Sequence, residues 1–158
     1  MTKTIPLTQG RFAIVDDDVY EWASKHKWFT QRSGRRFYAC RRVGKQNAQT
    51  QLFLHREILN APKGIMVDHI NGDGLDCTRG NMRLASNAEN QHNTPKRVNN
   101  TSGYKGVSFH RPNGKWRASL QLHGKQIHVG YFSAIEDAVI AYDQAALRYH
   151  GEFATTNL

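Results

Sequence analysis

The stretch V-D-H-I-N-G-D-G-L-D-C-T-R-G-N-M-R-L-A-S-N-A-E-N-Q-H-N, Val67 to Asn93, decides the reading of the first half of the chain. An apolar approach, Gly64 to Val67, runs into an acid and a histidine, Asp68 and His69. A loop of Asn, Asp and Gly follows from Asn71 to Gly80, and the chain returns through Met82-Arg83-Leu84-Ala85. Ser86 with Glu89 has capping-box spacing, so a helix is expected to begin at Asn87 and to carry Asn90 in its first turn, near unpaired N–H groups that favour phosphate. The pattern predicts a β-hairpin leading into a helix. Asp68 and His69 are adjacent in a strand, so their side chains point to opposite sides of the ribbon. Few residues suffice for a metal-dependent hydrolytic site: an oxygen ligand, and a histidine that titrates near neutrality. Asp73 and Asp76 read as turn formers and Cys77 as a passive loop residue. His92, two residues beyond Asn90, is a candidate additional ligand.

Net charge is +9 over 158 residues, and its distribution carries more than its sum. No acid occurs from Thr30 to Arg56 or from Asn90 to Ala134, while each tract carries seven Lys and Arg residues. Acid-free basic tracts fit a polyanion, of which nucleic acid is the commonest, better than an evenly solubilised surface. The two cysteines, Cys40 and Cys77, form no C-x-x-C pair, which excludes a four-thiolate zinc site and a disulfide framework. No segment is apolar enough for a signal peptide or a membrane span. The expectation is a cytoplasmic, monomeric protein with no membrane and no obligate protein partner.

Arg11 to Asp16 reads as a strand, and Asp16, Asp17 and Asp18 open a helix expected to run on to Trp28. R-R-F-Y-A-C-R-R-V and T-Q-L-F-L-H-R-E-I-L read as paired strands, which places His55 inside an apolar strand as a structural residue. Polar, aperiodic residues from Thr94 to Ser102 mark a linker. The predicted domains are therefore 1–95, a linker at 96–101, and 102–158. Beyond the linker, Y-K-G-V-S-F-H, K-W-R-A-S-L-Q-L and K-Q-I-H-V-G-Y-F alternate as three strands. A helix follows, with a capping box at Ser133 and Glu136 and a stop at Gly151. The fold class is α+β.

Alternation assigns the faces of that second sheet. Val107, Phe109, Trp116, Ala118, Leu120, Ile127 and Val129 share one parity and are expected under the helix. Ser108, His110, Arg117, Ser119, Gln121, Gln126 and His128 share the other. Such side chains hydrogen-bond base edges and phosphates, so this face is predicted to bind nucleic acid.

The segment Ser102 to Leu158, with Y-K-G-V, G-K-W-R-A, V-G-Y-F, E-D-A-V-I-A-Y-D-Q-A-A and G-E-F-A-T-T-N, resembles the APETALA/ethylene-response-factor DNA-binding domain. That family lays a three-stranded sheet into the major groove of double-stranded DNA. The resemblance implies Lys105, Ser108, His110, Arg111, Arg117, Ser119, Gln121, Gln126 and His128 as DNA contacts. Several of these are arginine or tryptophan in the plant proteins, so a different DNA sequence is expected here.

The opening stretch resembles the HNH nuclease motif, particularly the phage and intron-encoded homing type, in Val67-Asp68-His69, the loop, Asn81-Met82-Arg83-Leu84, and Ser86 to Asn90. That family has a ββα-metal fold. The resemblance implies His69 as general base, Asp68 and Asn90 as metal ligands, and Asn81 as the brace of the hairpin loop. It implies a divalent metal ion, most naturally Mg²⁺ with Mn²⁺ as the substitute, and a homing or mobile-element DNA endonuclease making nicks or double-strand breaks. The rival reading is a non-catalytic, sequence-specific DNA-binding regulator.

Overall fold

The computed structural model describes residues 1–45, 48–92 and 100–158, apart from the side chains of 88, 91 and 92. The chain divides into two compact units, Met1–Asn87 and Ala88–Leu158. Among the described residues it is a mixed α/β protein of antiparallel sheets with few helices. The linker expected at 96–101 lies mostly outside the described residues.

In the first unit, β1 (Thr2–Pro6) and β2 (Phe12–Asp16) form an antiparallel hairpin. Ile5, Ala13 and Val15 are buried, as the period-two alternation of a strand with one face on a core requires. Asp17 and Asp18 then open α1 (Asp17–Ala23), where carboxylates suit the positive end of the helix, and Val19 and Ala23 bury its inner face. The helix is shorter than the sequence suggests. The indole N–H of Trp28 donates to the Ala23 carbonyl at 2.8 Å, and the ring fills the core beside it, so the chain turns before Trp28.

Next, β3 (Phe29–Ser33), β4 (Arg36–Val43) and β5 (Thr50–Phe53) form an antiparallel sheet with β4 central. The run expected as one strand to Leu59 breaks at Phe53. It continues as α2 (Leu54–Ile58), burying Leu54, His55 and Ile58 at helical rather than alternating spacing. Two arginines enforce the break. Arg41 on β4 grips the Glu57 carboxylate with two hydrogen bonds, 2.9 and 2.7 Å, and Arg56 donates to the carbonyls of Ala61, Pro62 and Ile65. His55 therefore lies on a helix, not in a strand. The unit continues with the hairpin β6 (Met66–His69) and β7 (Met82–Ala85), and α3 (Asn87–His92) starts at its boundary, at the residue the sequence predicts.

The second unit is a sheet of β8 (Val107–His110), β9 (Lys115–Leu122) and β10 (Lys125–Phe132), with β9 central, and the helix α4 (Ile135–His150). Val107, Ala118 and Leu120 from the sheet pack on Ala138, Val139, Tyr142 and Ala146 from the helix. Phe109 departs from its expected place in that core. It is 49% exposed and leans edge-on against Trp116, with ring centroids 5.2 Å apart. The predicted capping box is also absent. The helix starts at Ile135, with Ala134 as its cap and no side-chain cap bond, which leaves Glu136 too early to reach back. Gly151, at φ 53°, ends the helix as expected.

Asp143, on the buried side of α4, clasps the end of the chain. Its carboxylate accepts from the amides of Asn157 and Leu158 at 2.9 and 3.0 Å, and from the Asn157 side chain. Asn157 in turn bonds the amide and the carbonyl of Lys105. Asp143 is only 7% exposed, so deleting its carboxylate strands several donors. Asp143→Ala is expected to destabilise the second unit by about 3 kcal/mol. Urea unfolding of the variant against the parent measures it, and an unchanged midpoint would show that the clasp contributes nothing.

Candidate functional site

The β6–β7 hairpin pairs Asp68 with Arg83 and His69 with Met82. Asp68 and His69 are 1% and 2% exposed, an unusual burial for two ionisable neighbours. Cross-strand pairing explains the first. Arg83 donates to Oδ2 of Asp68 from Nε at 2.9 Å and from Nη2 at 2.7 Å, a charge-assisted contact that offsets desolvation of the carboxylate.

The loop that joins the strands is held at both ends and in the middle. Asn81, itself buried, accepts the Asn71 amide on Oδ1 and donates from Nδ2 to the Asp76 carbonyl, while its backbone carbonyl takes the Ile70 amide. Asp73 and Asp76 accept from the amides two residues on, as turn-forming aspartates do. Halfway round, the loop is stitched to β2, with Ile14 N–H donating to Leu75 O and Cys77 N–H to Ile14 O at 2.9 and 2.8 Å. Gly74 makes the approach to β4 feasible, because a Cβ there would lie 2.5 Å from the Phe37 carbonyl and 2.6 Å from the Tyr38 ring.

His69 is surrounded by rings. His55 approaches it edge-on at 5.2 Å between centroids and Tyr38 lies 6.0 Å away, while Tyr38 and Phe53 flank His55 at 5.3 and 5.4 Å. Burial holds both imidazoles neutral. It is the largest cause of the depressed His69 pKa, which Asp68 counteracts and Arg36 reinforces. Burial likewise pushes His55 down to about 3. Asn90, the remaining predicted ligand, is half-buried on α3, and the His92 side chain lies outside the described residues. Cys40 and Cys77 are buried free thiols, which burial pushes up to about 11 and 12.

In the second unit, the predicted contact residues share the sheet face away from α4. Ser108 pairs with Arg117, Ser119 with His128, and Gln121 with Gln126. Gln121, Gln126 and His128 are exposed, as is Arg111 in the turn after β8, while Ser108, His110, Arg117 and Ser119 are half-buried. Lys105 differs from the others. Its half-burial brings the ammonium pKa down to about 8, and its backbone is tied to Asn157.

A family model described as HNH endonuclease matches residues 60–92, which span the hairpin and α3. An uncharacterised HNH endonuclease of Acanthamoeba polyphaga mimivirus, L560, is 31% identical over 151 residues, 94% of this chain and 76% of that protein. The chain belongs to the HNH endonuclease family. It is thus a nuclease, a phosphodiester hydrolase in general terms. Protein 3.8 of Escherichia phage T7 is 37% identical to this HNH endonuclease over 94 residues, 59% of the chain and 76% of the phage protein. The C-terminal part is similar to APETALA2-like protein 2 of rice, 39% identical over 57 residues, which are 36% of this chain and 13% of the plant protein.

Taken singly, Asp68 offers a carboxylate and Asn90 a carboxamide, each an oxygen donor of the kind that hard divalent cations take. Among the described residues no group of three or more His, Cys, Asp or Glu side chains is arranged to hold a metal, so the softer, cage-like sites that zinc prefers have no counterpart there. Sequence reasoning missed two features of the site region. His55 meets His69 only because the chain turns helical at Leu54, and the helical spacing of Leu54 and Ile58 was the available signal. Arg36 acts on His69 from the start of β4, with no local motif to announce it.

The two depressed imidazoles make folding sensitive to acid. Both have folded pKa values below the unfolded one, so the unfolded chain binds protons that the folded chain refuses. Their neutral form is fully compatible with the fold above about pH 6.5. Stability is then lost as pH falls from there towards the folded values. His55→Phe keeps the ring packing and removes one titration, so its acid-unfolding midpoint is expected at lower pH than the parent's. Circular dichroism across pH 7 to 3 reads this, and a midpoint that stays in place would show that His55 does not titrate on unfolding.

Proposed function

We propose that this nuclease is a metal-dependent, site-directed DNA endonuclease of the homing or mobile-element kind, in which the hairpin cuts and the C-terminal sheet selects the duplex. The observation that carries the reading is His69, held neutral beside the Asp68 carboxylate at the end of β6. A neutral imidazole takes a proton from water without first losing one, and this is what a general base at physiological pH must do. Hydroxide then attacks phosphorus as the bond to the 3′ oxygen breaks. Asp68 and Asn90 are the residues that would hold Mg²⁺ or Mn²⁺, completing a ββα-metal site. When bound, such an ion supplies charge neutralisation at the phosphate and stabilises the departing oxygen. Asn81 keeps the loop closed so that Asp68 and His69 hold their register.

The open sheet of the second unit supports the selector role. Ser108, His110, Arg117, Ser119, Gln121, Gln126 and His128 present donors and acceptors without a single carboxylate. Lys115 and Lys125, exposed at the strand ends, suit phosphates on either side. Lys105, half-buried and tied to the chain end, would contact phosphate from the rim, and Arg111 from the turn.

Incubation of the purified protein with supercoiled plasmid, with and without Mg²⁺, followed by mapping of the ends, tests the reading. Cleavage is expected only with the metal and at preferred sequences. His69→Ala is expected to lower the rate by about 10²–10⁴ while DNA affinity stays nearly unchanged. A folded His69→Ala protein that cuts within a few fold of the parent would remove the base assignment. Because the imidazole pKa is depressed, the acid limb of the rate profile should fall below pH 6.5, the ordinary histidine value. A limb above that value would assign it to another group.

A further inference from the structure

The open face of the second sheet contains a residue that strand alternation assigns to the opposite side. Counting from Gln126 and His128 by twos places Tyr131 under α4. The observed register differs. His128 faces Ser119, but Gly130 faces Ala118, so Val129 is an extra residue with no partner on β9, a β-bulge. Past a bulge the parity of a strand inverts. Gly130 therefore stands opposite the fully buried Ala118, Phe132 joins the core, and Tyr131 stands opposite Arg117 on the open face. Gly130 permits the bulge, because a Cβ there would lie 2.9 Å from the Phe132 ring.

Tyr131 is 41% exposed, and its ring lies between two imidazoles. His128, on its own strand, is 4.6 Å away between centroids, and His110, on β8, is 5.0 Å away. Reaching His110 from β10 means crossing the central strand in the row of Arg117, whose Nε is buried and has no hydrogen-bond partner among the described residues. His110 is pinned in turn by Asn113, 2.9 Å from its Nδ1. Beside Arg117, the middle of the face is thus a row of three rings, while its other cations, Arg111, Lys115 and Lys125, stand at the strand ends and turns.

That arrangement separates two kinds of contact. Cations at the rim match phosphates, whereas the central ring offers no paired donors for guanine O6 and N7. An exposed aromatic ring in a major groove complements the one apolar group the groove displays, the 5-methyl of thymine. We propose that Tyr131 is a specificity-determining residue of this nuclease, packing its ring against a thymine methyl in the major groove. The proposal rests on the reading of the C-terminal sheet as the DNA selector.

The test uses the full chain in EDTA, so that binding is measured without cleavage. A duplex is enriched from a random pool, and each thymine in it is then replaced singly by deoxyuridine, which removes only the methyl group. The parent protein is expected to lose about tenfold in affinity at one or two positions. Tyr131→Phe should keep that pattern. Tyr131→Ala should bind the parent duplex about tenfold more weakly and become indifferent to deoxyuridine at those positions. A Tyr131→Ala protein that retains the deoxyuridine penalty, or a parent protein indifferent to every replacement, overturns the proposal while leaving the sheet as selector, provided that Arg117→Ala still weakens the enriched duplex. If no duplex is enriched and Arg117→Ala changes nothing, the selector reading itself fails and the proposal falls with it.

Discussion

The first unit depends on a pair of backbone hydrogen bonds. Ile14 gives its amide to Leu75 and takes that of Cys77, which makes the long loop between β6 and β7 an accessory strand of β2. Without that stitch, a polar loop rich in Asn, Asp and Gly would carry a large conformational entropy in the folded state. With it, the loop has a fixed wall on one side and Asn81 closing its neck on the other. Ordering Asp68 and His69 then costs little more, because the strands that carry them start and finish at points already fixed.

Burial is the second theme of the site. A carboxylate and an imidazole side by side in a nearly dry environment are costly unless each is compensated. Asp68 is compensated by charge, through Arg83, and His69 by remaining uncharged among Tyr38 and His55. The two solutions differ in kind: Asp68 keeps a cationic partner across the hairpin, and His69 stays uncharged among its rings. The same hairpin produces both states from adjacent positions because cross-strand register gives each its own neighbours.

The sequence revealed local patterns well and long-range decisions poorly. The hairpin from Met66 to Ala85 and the start of α3 at Asn87 were legible because turn residues, alternation and cap spacing are all short-range signals. The second sheet was legible for the same reason. The break at Leu54 was not, because L-F-L-H reads equally as a strand until Arg41 captures Glu57 from another strand. Helix α1 stopped early for a nearer reason: the indole N–H of Trp28, five residues on, donates to the Ala23 carbonyl and its ring joins the core. The bulge at Val129 is a third case. A lone glycine within a strand hints at one, but only the pairing partner reveals which residues change sides.

Cys77 gives the stitched loop a built-in gauge. Its thiol is buried, points back towards the Gly74 carbonyl, and has its pKa raised to about 12, so it stays protonated and shielded while the loop is seated on β2. Reaction needs the thiolate and access together, and both arrive only when the loop lifts. The rate at which a thiol reagent labels Cys77, relative to a free cysteine, therefore reports the equilibrium between seated and lifted loop, a local opening distinct from global unfolding. The chain thus carries a thermodynamic probe of its own hairpin, placed by the same hydrogen bonds whose strength it would measure.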